Sequence, residues 1–221
     1  MGDAAPALVV LAAGRRLLLG TGNFGKVREM RAALKPLGLE LLDLRQLHGA
    51  RPREPEETGA GFLANAGIKA LHYERATGIP SLGEDSGLEV DALDGSPGVR
   101  SARWLGKDTP YEEKNHHLID LVNAGEARGR GARYRSAVAI AVEGRIVFRS
   151  TGTVEGRIAR APRGTGGFGY DPVFVPLDLD GRTMAELGLA EKQAISHRGR
   201  ALDPVRRFFA GLPGELDGVS G

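Results

Sequence analysis

The sequence lacks cysteine altogether and lacks any long apolar run. Without cysteine there is neither a disulfide framework nor a thiol nucleophile. No apolar run approaches the roughly 20 residues of a membrane-spanning helix, so we expect no membrane association. The apolar N-terminal segment carries its basic residues after it, which is the reverse of the order in a signal peptide. We therefore interpret residues 1–14 as an N-terminal extension, for which disorder is one alternative, and we expect a cytoplasmic protein.

The sequence also has little net charge. Its 30 basic and 28 acidic residues leave a formal charge of +2 over 221 residues. This balance is not that of a general nucleic-acid-binding protein, and we expect no nucleic-acid partner. Arginines do gather at Arg128, Arg130, Arg133 and Arg135. They indicate either a local basic surface that attracts a polyanion or, as the favoured alternative, a solvated arginine-rich turn.

Apolar periodicity predicts strands and helices in alternation, followed by a hairpin. The predicted strands are residues 16–20, 39–44, 79–83, 88–93, 134–142, 145–151 and 173–175, and the predicted helices are 24–37, 62–78, 109–125 and 198–211. Capping boxes are predicted at Thr109 and Thr183, and Pro204 is expected to kink or restart the last helix. The pattern indicates an α/β fold on a mixed sheet, with no linker long enough to separate independent domains.

Four acidic residues fall in two predicted loops. Glu56 and Glu57 lie in a proline-broken loop, and Glu84 and Asp85 lie in Gly83–Gly87, a predicted turn between two strands. Carboxylates, water and substrate phosphates are the usual ligands of Mg²⁺. Two separate solvated turns are the alternative, which the residues alone leave open.

The junction of the first strand and first helix is typical of a phosphate site. Thr21, Gly22 and Asn23 precede the helix, whose free N–H groups and dipole attract anions. Lys26 follows within one turn and adds a positive charge. The junction matches neither a Walker loop nor a dinucleotide fingerprint, so a plain helix cap at Asn23 is an equal alternative.

Two further segments combine charge, glycine and aromatic residues. The first holds Lys192, His197 and Arg198 close to a terminating glycine, and Lys69 lies on the second predicted helix. The second is the glycine-rich loop at residues 166–172, which contains Phe168 and Tyr170. Its aromatic rings are suited either to stacking on a base or to plugging the core beneath a turn.

Five motifs in a fixed order carry a resemblance to a known family. They are TGNFGKVRE, EETGAGFLANAGIKA, GEDSGLEVDAL with SPGVRSARW, GTGGFGYDPVF and AELGLAEKQAISHRGRAL, and together they cover about residues 16–203. The chain resembles the inosine triphosphatase family, the noncanonical purine NTP pyrophosphatases. The resemblance implies an elongated α/β body with two lobes around a substrate cleft, formed by residues 15–221 as one domain. It also implies Mg²⁺-dependent hydrolysis of ITP, dITP and XTP to the monophosphate and pyrophosphate, by a homodimer.

The same resemblance implies a role for each motif residue. Asp85 would be the general base and a metal ligand, with Ser86 contacting substrate and with Glu84 and either Glu56 or Glu57 adding metal carboxylates. The residues implied for the phosphate chain are Thr21, Gly22, Asn23, Phe24, Gly25, Lys26 and Lys69. The residues implied for the base and sugar are Phe168, Gly169, Tyr170, Asp171, Lys192, His197 and Arg198.

The sequence departs from the family pattern at three positions. Glu84 stands where the family often has aspartate, Ala64 stands where it commonly has glutamate, and Pro204 falls where it usually continues a helix. The alternative enzyme is a Maf-like pyrophosphatase acting on pyrimidine or modified nucleotides. The SHRG and GGFGYDP segments disfavour it.

Overall fold

The computed structural model describes residues 10–11, 14–47, 52–125 and 128–212. Most of the expected N-terminal extension, residues 1–9 and 12–13, lies outside this part of the chain. None of the helices in the described ranges has the length and apolar character needed to cross a membrane.

Six strands and five α-helices make up the described fold. The strands are β1 (Arg16–Gly20), β2 (Glu40–Asp43), β3 (Ser81–Val90), β4 (Gly131–Val142), β5 (Arg145–Ile158) and β6 (Phe174–Pro176). The helices are α1 (Phe24–Leu34), α2 (Phe62–Thr77), α3 (Tyr111–Ala124), α4 (Leu189–Ile195) and α5 (His197–Ala210). The strand order is β2-β1-β3-β4-β5-β6. Strand β1 pairs in parallel with β2 and β3, whereas β5 and β6 are antiparallel. The predicted α/β class with a mixed sheet is confirmed.

The chain divides into two compact units. Unit 1 contains the described residues up to Asp85, Ala137–Thr151 and the chain from Ala201 onward, and unit 2 contains Ser86–Ser136 and Gly152–Arg200. The division falls inside β3, β4, β5 and α5. Each unit is therefore assembled from separate stretches of sequence.

Each unit has its own apolar core. In unit 1, residues 17–19 of β1 are three consecutive buried leucines, as expected for a strand with parallel neighbours on both sides. Its buried core includes Leu17, Leu19, Met30, Leu34, Val138, Ile140, Ala201, Leu202 and Val205. The core of unit 2 includes Leu88, Val90, Leu118, Val122, Tyr134, Val154, Tyr170, Val173 and Phe174.

Several local predictions are confirmed. Helix α2 ends at Gly78, whose φ of 68° is left-handed. Strands β4 and β5 join through Glu143 and Gly144, both at positive φ, as a two-residue hairpin turn requires. The capping box at Thr183 and Glu186 is present on a short 3-10 helix. Helix α5 continues through Pro204, so the predicted restart is wrong, whereas the kink stays a prediction. Leu202 and Val205, on either side of that proline in the sequence, are buried in the core of unit 1.

The predicted acidic turn is also wrong. Residues 81–90 form one continuous strand, and Glu84 and Asp85 lie within it. Glu84 is 0% exposed and Asp85 is 4% exposed. Acidic side chains in a strand interior need charged partners, and this pair has lysines from two helices. Because these partners are distant in sequence, the local pattern of acids and glycines predicted a solvated turn.

The predicted capping box at Thr109 is wrong. Helix α3 begins at Tyr111 after Pro110, and no side chain caps it. The Thr109 hydroxyl instead donates to the carbonyl of Leu105 at 2.6 Å. The helix ends before Gly125, as predicted.

Candidate active site

Five charged residues of unit 1 form what we call the acid–lysine cluster: Lys26, Glu57, Lys69, Glu84 and Asp85. Lys26 Nζ lies 2.8 Å from Glu84 Oε2. Lys69 Nζ lies 3.2 Å from Asp85 Oδ1 and also pairs with Glu57. Three carboxylates and two ammonium groups thus lie together in a largely buried setting.

Both carboxylate oxygens of Asp85 are held. Lys69 binds Oδ1, and the Asn65 side-chain amide donates to Oδ2 at 3.1 Å. The amide of Asn65 is itself oriented, because its oxygen accepts the Gly59 N–H at 2.8 Å. A side chain at Gly59 would place its Cβ 2.6 Å from that oxygen, so glycine allows the contact. The Asp85 carboxylate is therefore fixed in one orientation.

Burial and the neighbouring charges change the proton affinities in the cluster. Burial raises the pKa of Asp85, Lys69 and Lys26 oppose that rise, and Glu57 adds to it. Burial alone would lower the pKa of Lys69, but the nearby carboxylates of Asp85 and Glu57 raise it above its usual value. Asp85 thus holds a proton more readily than an exposed aspartate, while Lys69 stays cationic.

Lys26 reaches the cluster because of the turn between β1 and α1. The Asn23 N–H donates to the Thr21 hydroxyl at 3.2 Å, and Asn23 Oδ1 accepts the Lys26 N–H at 3.1 Å. Asn23 is thus the N-cap of α1, as the simpler alternative predicted. The cap fixes the first turn of α1 and directs Lys26 to Glu84. Phe24 is 63% exposed, and its ring lies 3.9 Å below the guanidinium carbon of Arg45.

Strand β3 and helix α2 approach each other unusually closely at Gly83. A Cβ at this position would lie 2.2 Å from the Ala66 carbonyl oxygen and 2.5 Å from the Ala70 nitrogen. Both are backbone atoms, which cannot move aside as a flexible side chain can. The absence of a side chain at Gly83 therefore brings Lys69 on α2 against Asp85 on β3.

The structure separates the two glutamates of the proline-broken loop. Glu57 is half-buried and contacts Lys69, whereas Glu56 is exposed. Of the predicted metal carboxylates, the structure brings together Glu57, Glu84 and Asp85 and leaves Glu56 outside.

In unit 2, Asp171 organises the glycine-rich loop. Its carboxylate accepts the Phe168 N–H at 2.7 Å and binds Lys192 Nζ at 2.5 Å. The Tyr134 hydroxyl donates to the other oxygen at 3.4 Å. Gly167 has a φ of +69°, and a Cβ there would lie 2.1 Å from Asp171 Oδ2. Glycine at this position thus lets the loop fold over the carboxylate.

Phe168 is the aromatic residue that the loop presents, and it is half-buried between two cations. Lys192 Nζ lies 4.9 Å from the ring centroid, and the Arg198 guanidinium carbon lies 5.5 Å from it. Arg198 is 2% exposed and donates to the Ser86 hydroxyl at 2.9 Å. The structure therefore brings Ser86, Phe168, Lys192 and Arg198 into one polar and aromatic site.

Two other predicted base-pocket residues have aromatic or polar contacts within unit 2, and their roles toward substrate stay predictions. The His197 ring stacks on Tyr134, with centroids 4.5 Å apart and planes 13° from parallel. The Tyr170 ring is buried in the core, and its hydroxyl donates to the Ser101 carbonyl at 3.0 Å. Gly169 contributes its carbonyl, which accepts from the Asn115 side chain at 3.1 Å.

A protein-family model describing the Ham1 family matches residues 17–208. The chain belongs to the Ham1 family. The family resemblance predicted from the five motifs is thereby confirmed. A Ham1-family assignment also accounts for the order of those motifs along nearly the whole chain.

Similar proteins and solved structures agree with the Ham1 assignment. A dITP/XTP pyrophosphatase of Thermus thermophilus is 47% identical over 200 residues, which cover 90% of this chain and 94% of that protein. A dITP/XTP pyrophosphatase of Symbiobacterium thermophilum is 49% identical over 206 residues, covering 92% and 98%. The solved structure of a HAM1 protein from Coxiella burnetii has a TM-score of 0.79 and 36% identity, covering 88% of this chain and 98% of that one. The Ham1 protein of Staphylococcus aureus gives a TM-score of 0.76 and 31% identity, covering 89% and 98%.

The Ham1 chain offers oxygen ligands of the kind that Mg²⁺ prefers, but they face lysines. No group of three or more histidine or acidic residues in the described ranges is arranged as a metal site. The acid–lysine cluster nevertheless has one more carboxylate than it has lysines, and Glu57 is only partly buried. The chemistry of the donors therefore fits a hard cation.

Residue-based reasoning missed Asn65 as a site residue. Asparagine is a poor helix former, yet Asn65 lies in the first turns of α2 and is fully buried. That mismatch was the available signal, since a buried polar side chain needs a partner. Nothing in the local pattern indicated Tyr134 or Asn115, which reach their partners only through the tertiary fold.

Proposed function

We propose that this chain hydrolyses noncanonical purine nucleoside triphosphates to the nucleoside monophosphate and pyrophosphate, with Mg²⁺ as cofactor. One observation carries the proposal: a buried Asp85, held at both oxygens, in one cluster with Glu57, Glu84 and two lysines. The names of the relatives, dITP/XTP pyrophosphatase, support the substrate class.

In the proposed reaction, Asp85 accepts a proton from the attacking water. The water oxygen forms a bond to the α-phosphorus, and the bond from that phosphorus to the bridging oxygen breaks, so that pyrophosphate leaves. Burial raises the pKa of Asp85, and a base of higher pKa accepts a proton more readily at neutral pH. Mg²⁺ held by Asp85 and Glu57 would screen the phosphate charge and polarise the leaving group. Lys26 and Lys69 supply positive charge beside the same carboxylates.

We assign the base and sugar to the site around Phe168 in unit 2. A purine stacks on an aromatic ring, and the Arg198 guanidinium and loop N–H groups can donate to a 6-oxo group. Adenine presents an amino group at that position and would leave such buried donors unpaired, which a site of this kind rejects strongly. We keep His197, whose ring stacks on Tyr134, among the residues proposed for the base and sugar.

The first prediction concerns Asp85. We expect Asp85→Asn to lower kcat by about 10²–10⁴-fold, the usual contribution of a general base, because asparagine cannot accept the proton. The assay measures pyrophosphate release from dITP, XTP, ITP, GTP, ATP, dTTP and UTP, with Mg²⁺ and with EDTA.

Asp94→Asn is the matched control. Asp94 is exposed, and its φ of 49° suits asparagine, so this variant should keep full activity. Near-normal turnover by a folded Asp85→Asn protein would refute the role of Asp85. Preferred turnover of dTTP or UTP would instead favour the Maf-like alternative.

The proposal extends to assembly and location. The family resemblance supports a homodimer, and the absence of cysteine fits the cytoplasmic location that we propose. Light scattering during gel filtration measures the oligomeric state. Fractionation of cells that express the chain measures its location.

A further inference from the structure

A cavity in unit 2, apart from the site around Phe168, has four arginines in its lining. Its volume is about 380 Å³, and its charged lining consists of Arg130, Arg157, Arg160 and Arg163, which we call the arginine cavity. The buried residues Ile158 and Val175 contribute apolar surface to the lining. No acidic residue lines the cavity in the described part of the chain. The volume is within the range of small-molecule sites, about 300–1,000 Å³.

Arg130 is fixed in place by uncharged acceptors. Its Nε donates to the Ile158 carbonyl, its Nη2 to the Ala159 carbonyl and its Nη1 to the Asn123 side chain, each at 2.7 Å. The Ile158 N–H also donates to the Arg130 carbonyl at 2.9 Å, so the two chain segments are locked together. These contacts hold the guanidinium in one position.

Arg163 is anchored by two contacts of its own. Its Nε lies 3.3 Å from Glu186 Oε2, and it also donates to the Gly181 carbonyl. Glu186 is ionised, because the Thr183 N–H lowers the pKa of its carboxyl. Glu186 balances part of the charge of Arg163 without being part of the lining.

Arg157 completes the arrangement from the sheet. It lies on β5 opposite Val175 of β6, and its side chain is exposed. Arg160 follows two residues after the end of β5 and is exposed. A rigid guanidinium and three neighbouring ones therefore border one concave space.

The chemistry of the lining selects its ligand. Guanidinium groups match the oxygens of phosphate in bidentate geometry, and several of them around one space favour an anion that carries several charges. We propose that the arginine cavity binds an oligophosphate, either inorganic pyrophosphate or the phosphate chain of a nucleotide. The site shares no residue with the acid–lysine cluster or the Phe168 site, so the inference is independent of the proposed catalytic activity.

Calorimetric titration with pyrophosphate, in EDTA, tests the proposal. The variant is Arg157→Gln with Arg160→Gln, two exposed residues whose replacement leaves the anchored Arg130 and Arg163 in place. We expect a loss of affinity of about tenfold or more for this site, from the loss of charged hydrogen bonds. Arg75→Gln with Arg149→Gln is the control, because it removes the same charge from exposed positions outside the cavity.

Comparison of the two double variants isolates the arginine cavity. Both double variants and the unmodified chain keep the acid–lysine cluster, so pyrophosphate bound there contributes equally to all three titrations. Thermal unfolding confirms that each variant is folded, and Arg157→Glu provides a second test, in which repulsion should weaken binding at least as much. Equal affinity in all the folded proteins would overturn the proposal.

Further titrations distinguish the sources of the anion. A loss for pyrophosphate and ATP alike supports recognition of the phosphate chain, and a loss for ATP alone supports a nucleotide as its source. A loss confined to a 12-nucleotide single-stranded DNA, with pyrophosphate and ATP unchanged, would overturn the proposal in favour of a nucleic-acid surface.

Discussion

At the scale of single residues, Asp85 is a proposed catalytic group whose burial lowers the stability of the folded protein at neutral pH. Burial raises its pKa, so the folded protein binds a proton there more tightly than the unfolded chain does. The free energy of unfolding therefore falls as pH rises from the unfolded pKa through the folded pKa. At neutral pH the ionised Asp85 is a source of instability, which the hydrogen bonds from Asn65 and Lys69 only partly offset.

A second prediction follows for the stability of Asp85→Asn. Asparagine resembles the protonated acid in shape and charge, so the variant should be more stable than the unmodified protein at pH 7. The difference should shrink as the pH falls through the titration of Asp85. Urea unfolding at several pH values measures this, with Asp94→Asn as the control for an exposed acid. If the variant were less stable than the unmodified protein at pH 7, and by the same amount in acid, ionised Asp85 would not be a source of instability.

Residue identity alone predicted much of the acid–lysine cluster, but not its contacts. Lys26, Lys69 and Asp85 were all candidates from their motifs, and the structure places them together. The pairing of Lys26 with Glu84 was not predicted, since it joins residues 58 positions apart. A long-range ion pair leaves no periodic trace in the sequence, in contrast to the helix cap at Asn23.

At the scale of elements, apolar periodicity predicted most helices and strands, and it failed where charge is buried. Strand β3 was divided into two because its central acids resemble a solvated turn. Helix ends at a glycine, such as Gly78, were predictable from the local sequence. The left-handed conformation at such an end requires little more than the glycine itself.

The contact between β3 and α2 gives a third prediction. Gly83→Ala should lower the free energy of unfolding by about 1–3 kcal/mol, because the new methyl group meets the α2 backbone at Ala66 and Ala70. It should also lower activity by displacing Lys69 from Asp85. Urea unfolding and pyrophosphate release measure the two effects.

Gly67→Ala on the same helix is the matched control. A Cβ at Gly67 has no atom within 4 Å, so alanine should stabilise α2 by about 0.5–1 kcal/mol. If both alanine variants were equally stable, close approach would not explain the glycine at position 83.

At the scale of the whole molecule, the two units cannot be separated by cutting the chain once. The division between them falls inside β3, β4, β5 and α5. Strands that continue from one unit into the other tie their folding together, so we predict a single cooperative unfolding transition.

The single tryptophan, Trp104, tests this fourth prediction. It lies in unit 2, next to His117 and Tyr170, so its fluorescence reports on that unit. Because Gly83 lies in unit 1, Gly83→Ala should shift the urea midpoint of Trp104 fluorescence by the same amount as that of circular dichroism. A midpoint of Trp104 that stays unchanged would show that the units unfold independently.

The discontinuity of unit 1 has a consequence for protein synthesis. Its core packs Leu17 and Leu19 of β1 with Ala201 and Leu202 of α5, which the ribosome makes much later. The 181 positions from Gly20 to Ala201 take roughly 10–40 s to translate at about 5–20 residues per second. For that time a nascent chain carries β1 without the helix that covers it. A chain released at residue 200 would therefore expose the apolar surface on which chaperones act.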